Sequence, residues 1–136
     1  MSKKRWVMAS LAAFIVGSIL DFLFNNYCLK NVYMQTAQLW RPMDEMMKLM
    51  PYYHIVSLFA AFVFTYIYTK GYEAKPSGLF EGLRFGLLIG LLVVPSMAVI
   101  TYATMPVPVR LSVGWFVTGM FQYAAIGSVV GLIYKK

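Results

Sequence analysis

Four apolar runs, each long enough to cross a bilayer, occupy most of this chain. They cover about residues 6–27, 52–69, 79–104 and 111–134. A helix rises about 1.5 Å per residue, so about 20 mostly apolar residues span a hydrocarbon core of about 30 Å. Of the 136 residues, 60% are hydrophobic and 12% are charged. A water-soluble domain of this length leaves too much of its surface in water to hide that composition. The segments between the runs are too short for a separate soluble domain. The expectation is therefore a single domain, residues 1–136, in the class of all-α integral membrane proteins. Its architecture is a four-transmembrane-helix bundle with a short external amphipathic helix between helices one and two.

The first run follows Lys3, Lys4 and Arg5, as a signal peptide would. It is longer than an h-region, it carries Asp21, and no small-x-small cleavage site follows it, so it reads as a span. Cys28 is the only cysteine, which excludes an intrachain disulfide and the Cys-rich metal patterns. The net charge of +7 reads as loop charge that orients the helices, with no nucleic-acid partner implied.

Basic residues set that orientation. Lys3, Lys4, Arg5, Lys70, Lys75, Arg84, Lys135 and Lys136 fall on one side, and Lys30, Arg41, Lys48 and Arg110 on the other. An excess of eight over four places both termini in the cytoplasm. Aromatic residues mark the two interfaces. Trp6, Tyr66, Tyr68, Tyr72 and Tyr134 fall at the inner level, and Tyr27, Tyr52, Tyr53, Tyr102 and Trp115 at the outer one.

The longest external segment runs from Asn31 to Met50. Pro42 suits a first helical turn, and Met43, Met46, Met47 and Met50 follow on one face. This predicts an amphipathic helix on the outer surface, ended by Pro51. Met43, Met47 and Met50 continue in register to His54, and thioethers with an imidazole would suit Cu(I). Flexible apolar filler is the competing reading of the same stripe. Helix three opens with Glu81 and Arg84, spaced to pair, after a loop that includes Gly78. Gly82, Gly86 and Gly90 then line one face, and Gly127 and Gly131 line a face of helix four; glycines four apart let helices approach closely. Pro95 falls mid-membrane, where it kinks or bends a helix.

The runs "GYEAKPSGLFEGLRFGLLIG", "YATMPVPV" and "GLIYKK" carry a resemblance over roughly Lys70 to the end. There the chain resembles a group of small bacterial four-helix inner-membrane proteins classed as a domain of unknown function. The resemblance implies a multi-pass protein of the bacterial inner (plasma) membrane and brings no activity with it.

The polar residues inside the runs carry what function the sequence shows. Asp21 lies about 22 Å along helix one from Trp6, in the outer half of the membrane. Asn25 is one turn higher on the same face. His54 begins helix two near that level. Thr101 and Tyr102 on helix three, and Thr118 and Gln122 on helix four, reach the same half. A charge at this depth rarely faces lipid, so Asp21 points into the bundle. Two readings follow. Asp21, Asn25, His54, Thr101, Tyr102, Thr118 and Gln122 form an outward-facing polar pocket that binds or transports a small solute or proton. Alternatively, Asp21 is a hydrogen-bonding strut and Asn25 and Asn26 end the helix. In that case the protein is a structural or assembly subunit docking a partner, or another copy, through its glycine faces. One histidine, one cysteine and one intramembrane carboxylate make a thin set for catalysis, so the chain reads as non-enzymatic, with no cofactor. Its one certain surroundings are the lipid bilayer.

Overall fold

The computed structural model describes residues 2–74 and 77–135; Lys75 and Lys136, which enter the charge count, lie outside the described residues. Helix α1 (Lys3–Leu23) starts at Ser2, whose hydroxyl accepts the Arg5 N–H as an N-cap. It runs on as a π-helical turn, Phe24–Cys28. A short α2 (Lys30–Gln35) and a 3-10 turn (Ala37–Leu39) follow, then α3 (Met43–Lys70), α4 (Gly78–Thr104) and α5 (Val109–Tyr134). The stretches Lys3–Cys28, Met43–Lys70, Gly78–Thr104 and Val109–Tyr134 are each long and apolar enough to cross a membrane. No strand occurs among the described residues. The expected all-α bundle of four membrane-spanning helices is thus what the chain adopts. An even number of spans brings both chain ends to one end of the bundle, the termini end. The far end carries Asn25 and α2.

The segment between the first two spans departs from expectation. Pro51 does not end a surface helix. Met43–Met50 forms the opening turns of α3, which passes through Pro51 unbroken. Proline's fixed φ already suits a helix, and its cost is the missing N–H that would serve the Met47 carbonyl. Met47 is 61% exposed near the helix start, where water or headgroups can serve that carbonyl. The short helix between the spans is α2 instead, without the methionine stripe.

Helices α4 and α5 meet backbone to backbone. A Cβ built on Gly82 would fall on the Gly127 carbonyl, and one on Gly86 on the Tyr123 carbonyl. Reciprocally, Gly127 and Gly131 face the carbonyls of Gly82 and Gly78. Gly90 closes the row: a Cβ built there would lie 3.1 Å from Tyr123 Cβ and 3.2 Å from Met120 Sδ. The glycine faces therefore face each other within one chain. Gly78 corrects its loop assignment: it is the first residue of α4, buried against Gly131.

Small residues also seat α1. Ala9 and Ala13 are buried, and Gly17 lies one turn further along against Ile126 of α5. With Ala61 and Phe64 of α3 and Val130 of α5 they make the main core. A side-chain tie joins α3 to α4 at the termini end. Tyr68 donates its hydroxyl to Glu81 Oε2 at 3.1 Å, and the Glu73 N–H donates to Glu81 Oε1 at 2.7 Å. Arg84 pairs with Glu73 at 3.7 Å, where the sequence suggested Glu81. Phe64, Tyr68, Tyr72, Phe85 and Tyr134 stack around this tie. Tyr68 and Tyr134 keep the expected level but turn inward, both nearly fully buried.

Candidate functional site

The packing order of the four long helices creates the site. α3 lies on α1, α1 on α5, and α5 on α4. α3 and α4 are thus the two outer members, joined side chain to side chain at the termini end through Phe64, Tyr68, Phe85 and Glu81. Beyond this tie α3 and α4 make little direct contact. Between them lies a cleft of about 560 Å³, with Val56, Ala60 and Val63 of α3 on one wall and Ile89, Val93 and Val94 of α4 on the other. Its floor is α1 and α5, where Ser18, Asp21 and Gln122 supply polar groups. A smaller cavity of about 230 Å³ shares Asp21 and Gln122 and extends towards Asn25, Tyr33 and Thr118.

Asp21 and Gln122 form the junction. Gln122 Nε2 donates to the Gly17 carbonyl at 2.9 Å and to Asp21 Oδ1 at 3.3 Å. Asp21 has no ion-pair partner among the described residues. Its carboxylate is neither sealed in a dense hydrogen-bond cage nor exposed to the outside of the bundle.

The π-helical turn explains the two asparagines. It shifts the backbone ladder to i→i+5, as in the Leu29 N–H to Phe24 carbonyl bond at 2.9 Å. The side-chain amides compensate: Asn25 Nδ2 donates to the Asp21 carbonyl and Asn26 Nδ2 to the Phe22 carbonyl, both at 2.9 Å. Such turns within α-helices recur at functional sites. Here the turn carries the chain over the polar junction and into α2.

Two residues that the sequence reading missed complete the wall. Tyr33 of α2 donates its hydroxyl to Asn25 Oδ1 at 2.9 Å, and Trp115 Nε1 donates to the Tyr33 hydroxyl at 2.7 Å. Trp40 stacks edge-on against both rings and donates to Thr36 Oγ1 at 3.0 Å. Burial raises the Tyr33 hydroxyl above the usual phenol value; the bond from Trp115 acts the other way, and the Asp21 charge adds to the rise. The sequence placed Trp115 at the outer interface and did not single out Tyr33. Their pairing across 82 residues was not legible there.

The structure brings together Asp21, Asn25, Thr118 and Gln122, four of the seven expected pocket residues. It leaves out three. His54 is exposed, its ring edge-on to Phe14 and Tyr53, and it lines neither cavity. One residue of helical rotation separates it from Tyr53, which does line them. The Thr101 hydroxyl bonds back to the Met97 carbonyl of its own helix at 2.8 Å. Tyr102 is 49% exposed on the outer surface of α4. The methionine row Met43, Met47 and Met50 is likewise exposed along one helix with His54. Among the described residues no group of three His, Cys, Asp or Glu gathers to add ligands to it.

A scan against family models finds no matching family, and neither the curated proteins nor the solved structures searched include a match.

Proposed function

We propose that this chain is a non-enzymatic binding or transport protein of the bacterial inner membrane, with both termini in the cytoplasm, that takes up a small solute or proton at Asp21. The observation that carries the reading is the Asp21 carboxylate in the wall of an open cleft, with no ion-pair partner and only Gln122 as side-chain partner among the described residues. Ionisable groups within membrane spans mark substrate or proton pathways, because their desolvation cost otherwise selects against them. The tie around Glu81 holds the cleft shut at the termini end, which supports access from the far side and laterally from the bilayer. Docking of partner helices through glycine faces is less well supported, because those faces are filled by each other.

Thiol accessibility tests this reading. In a Cys28→Ser background, Asp21→Cys should react readily with a charged, membrane-impermeant methanethiosulfonate. Ile19→Cys, on the lipid-facing side, should not. An Asp21→Cys protein that folds but is as inert as Ile19→Cys would remove the polar pocket.

A further inference from the structure

We infer that the cleft accommodates a lipophilic amine: a hydrocarbon tail between α3 and α4, with a protonated amino head on Asp21 and Gln122. The inference rests on the proposed function and names its ligand class.

The head group follows from which polar atoms remain open. The amide and indole donors around the junction are committed; the hydroxyls of Ser18, Tyr53, Ser57 and Tyr123, which also line the cleft, make no hydrogen bond among the described residues and can accept as readily as donate. Gln122 Nε2 serves Gly17 and Asp21, Asn25 Nδ2 serves the Asp21 carbonyl, and Trp115 Nε1 serves Tyr33. Tyr33 serves Asn25, and Thr118 serves the Gly114 carbonyl at 2.7 Å. The acceptors are not committed. Asp21 Oδ2 and Gln122 Oε1 have no hydrogen-bond donor among the described residues, and Asp21 Oδ1 has only the 3.3 Å bond. An unpaired carboxylate with one oxygen open, beside an open amide oxygen, complements an ammonium group, which brings donors and the missing positive charge. A carboxylate or phosphate head would meet like charge and no free amide donor.

The tail follows from the walls. From the level of Met97 towards the termini end, α4 presents Val94, Val93 and Ile89 to the cleft, a depth of about 12 Å over eight residues. Val56, Ala60 and Val63 face them from α3, and no charged side chain lines the cleft besides Asp21. Val56, Val63 and Val93 are exposed along its walls, so the slot opens sideways, where lipid tails are. A hydrocarbon chain gains little by leaving lipid for an equally apolar wall. The tail therefore delivers the molecule at the right depth, and the head decides what stays.

The test uses the full-length protein in nanodiscs of zwitterionic phosphatidylcholine, with binding read by native mass spectrometry and by the shift in melting temperature. Dodecylamine should bind saturably at one equivalent and raise the melting temperature; dodecanol and dodecanoate should bind at least tenfold more weakly. Asp21→Asn should weaken dodecylamine at least tenfold. Val93→Trp, which fills the slot and leaves Asp21 untouched, should do the same, so the result does not hang on one variant folding. Equal binding of dodecanoate would overturn the charge assignment. Ethylamine binding as tightly as dodecylamine would overturn the slot while leaving a polar pocket standing. No saturable alkylamine binding, beside a reactive Asp21→Cys, would refute the lipophilic amine and spare the proposed function; an inert Asp21→Cys would sink both.

Discussion

Gln122 of α5 spans the gap to α1 with one amide nitrogen, reaching the Gly17 carbonyl at 2.9 Å and the Asp21 carboxylate at 3.3 Å. The carbonyl is within reach because Gly17 has no side chain on the face that meets Ile126 and Gln122. One residue thus fastens two spans and positions the carboxylate. Gln122→Leu should destabilise the bundle by about 1 kcal/mol, the scale of an interhelical hydrogen bond in a membrane. Unfolding in mixed micelles would measure it, and an unchanged midpoint would show the contact to be idle.

Asp21 separates stability from function. Asp21→Asn keeps the shape and the acceptor towards Gln122, so its unfolding midpoint should match wild type. Its alkylamine binding should nonetheless fall. Asp21→Leu should lose both, with a stability cost of about 1–2 kcal/mol. If Asp21→Asn were as unstable as Asp21→Leu, the charge itself would be structural.

The glycine seam gives the sharpest packing prediction. Gly86→Ala places a methyl group on the Tyr123 carbonyl, which is backbone and cannot rotate away. Gly78→Ala does the same at Gly131. Each should cost about 1–3 kcal/mol, the usual range for forced overpacking. Gly71→Ala, with nothing within 4 Å, is the control and should leave the midpoint unchanged.

Tyr33 makes the far-end cap sensitive to alkali. Its value in the fold lies above the ordinary 10.0 because burial, and to a lesser extent Asp21, disfavour the phenolate. The protonated phenol is the form that the fold prefers, so its contribution is complete below the ordinary value and is lost as pH climbs through the raised one. Wild type should therefore lose its stability advantage over Tyr33→Phe as pH climbs above the ordinary phenol value and through the raised one. A constant difference across that range would disconnect the hydroxyl from the cap.

Cys28 is exposed at the far end and reports orientation without engineering. With the termini cytoplasmic, an impermeant maleimide should label Cys28 in intact cells. In a Cys28→Ser protein carrying Ser77→Cys, it should label only after the membrane is opened. The reverse pattern would invert the proposed orientation.

The four spans were legible in the residues alone. Apolar length is a local quantity, and a backbone in lipid has no water to bond, so a run of that length must close its own hydrogen bonds as a helix. Equally legible was that Gly82, Gly86, Gly127 and Gly131 mark a close approach, since four-residue spacing fixes a face. The same logic applied to Ala9, Ala13 and Gly17 would have found the seat of α1. Pairings and rotations emerged only once the helices were packed. Whether a glycine face meets another chain or its own neighbour depends on which helix lies opposite. His54 and Tyr53 are adjacent in sequence but about 100° apart around α3, and only packing chose which of them lines the cleft. Asn25, expected in the pocket, does line the smaller cavity, but its amide and that of Asn26 also serve a π-helical turn whose ladder shift leaves no mark in composition. Pro51 looked like a terminator because proline lacks an N–H, but at an exposed helix start that loss is small. The cleft itself has no sequence signature, because it lies between α3 and α4 over α1 and α5, a relation between elements that no single segment encodes.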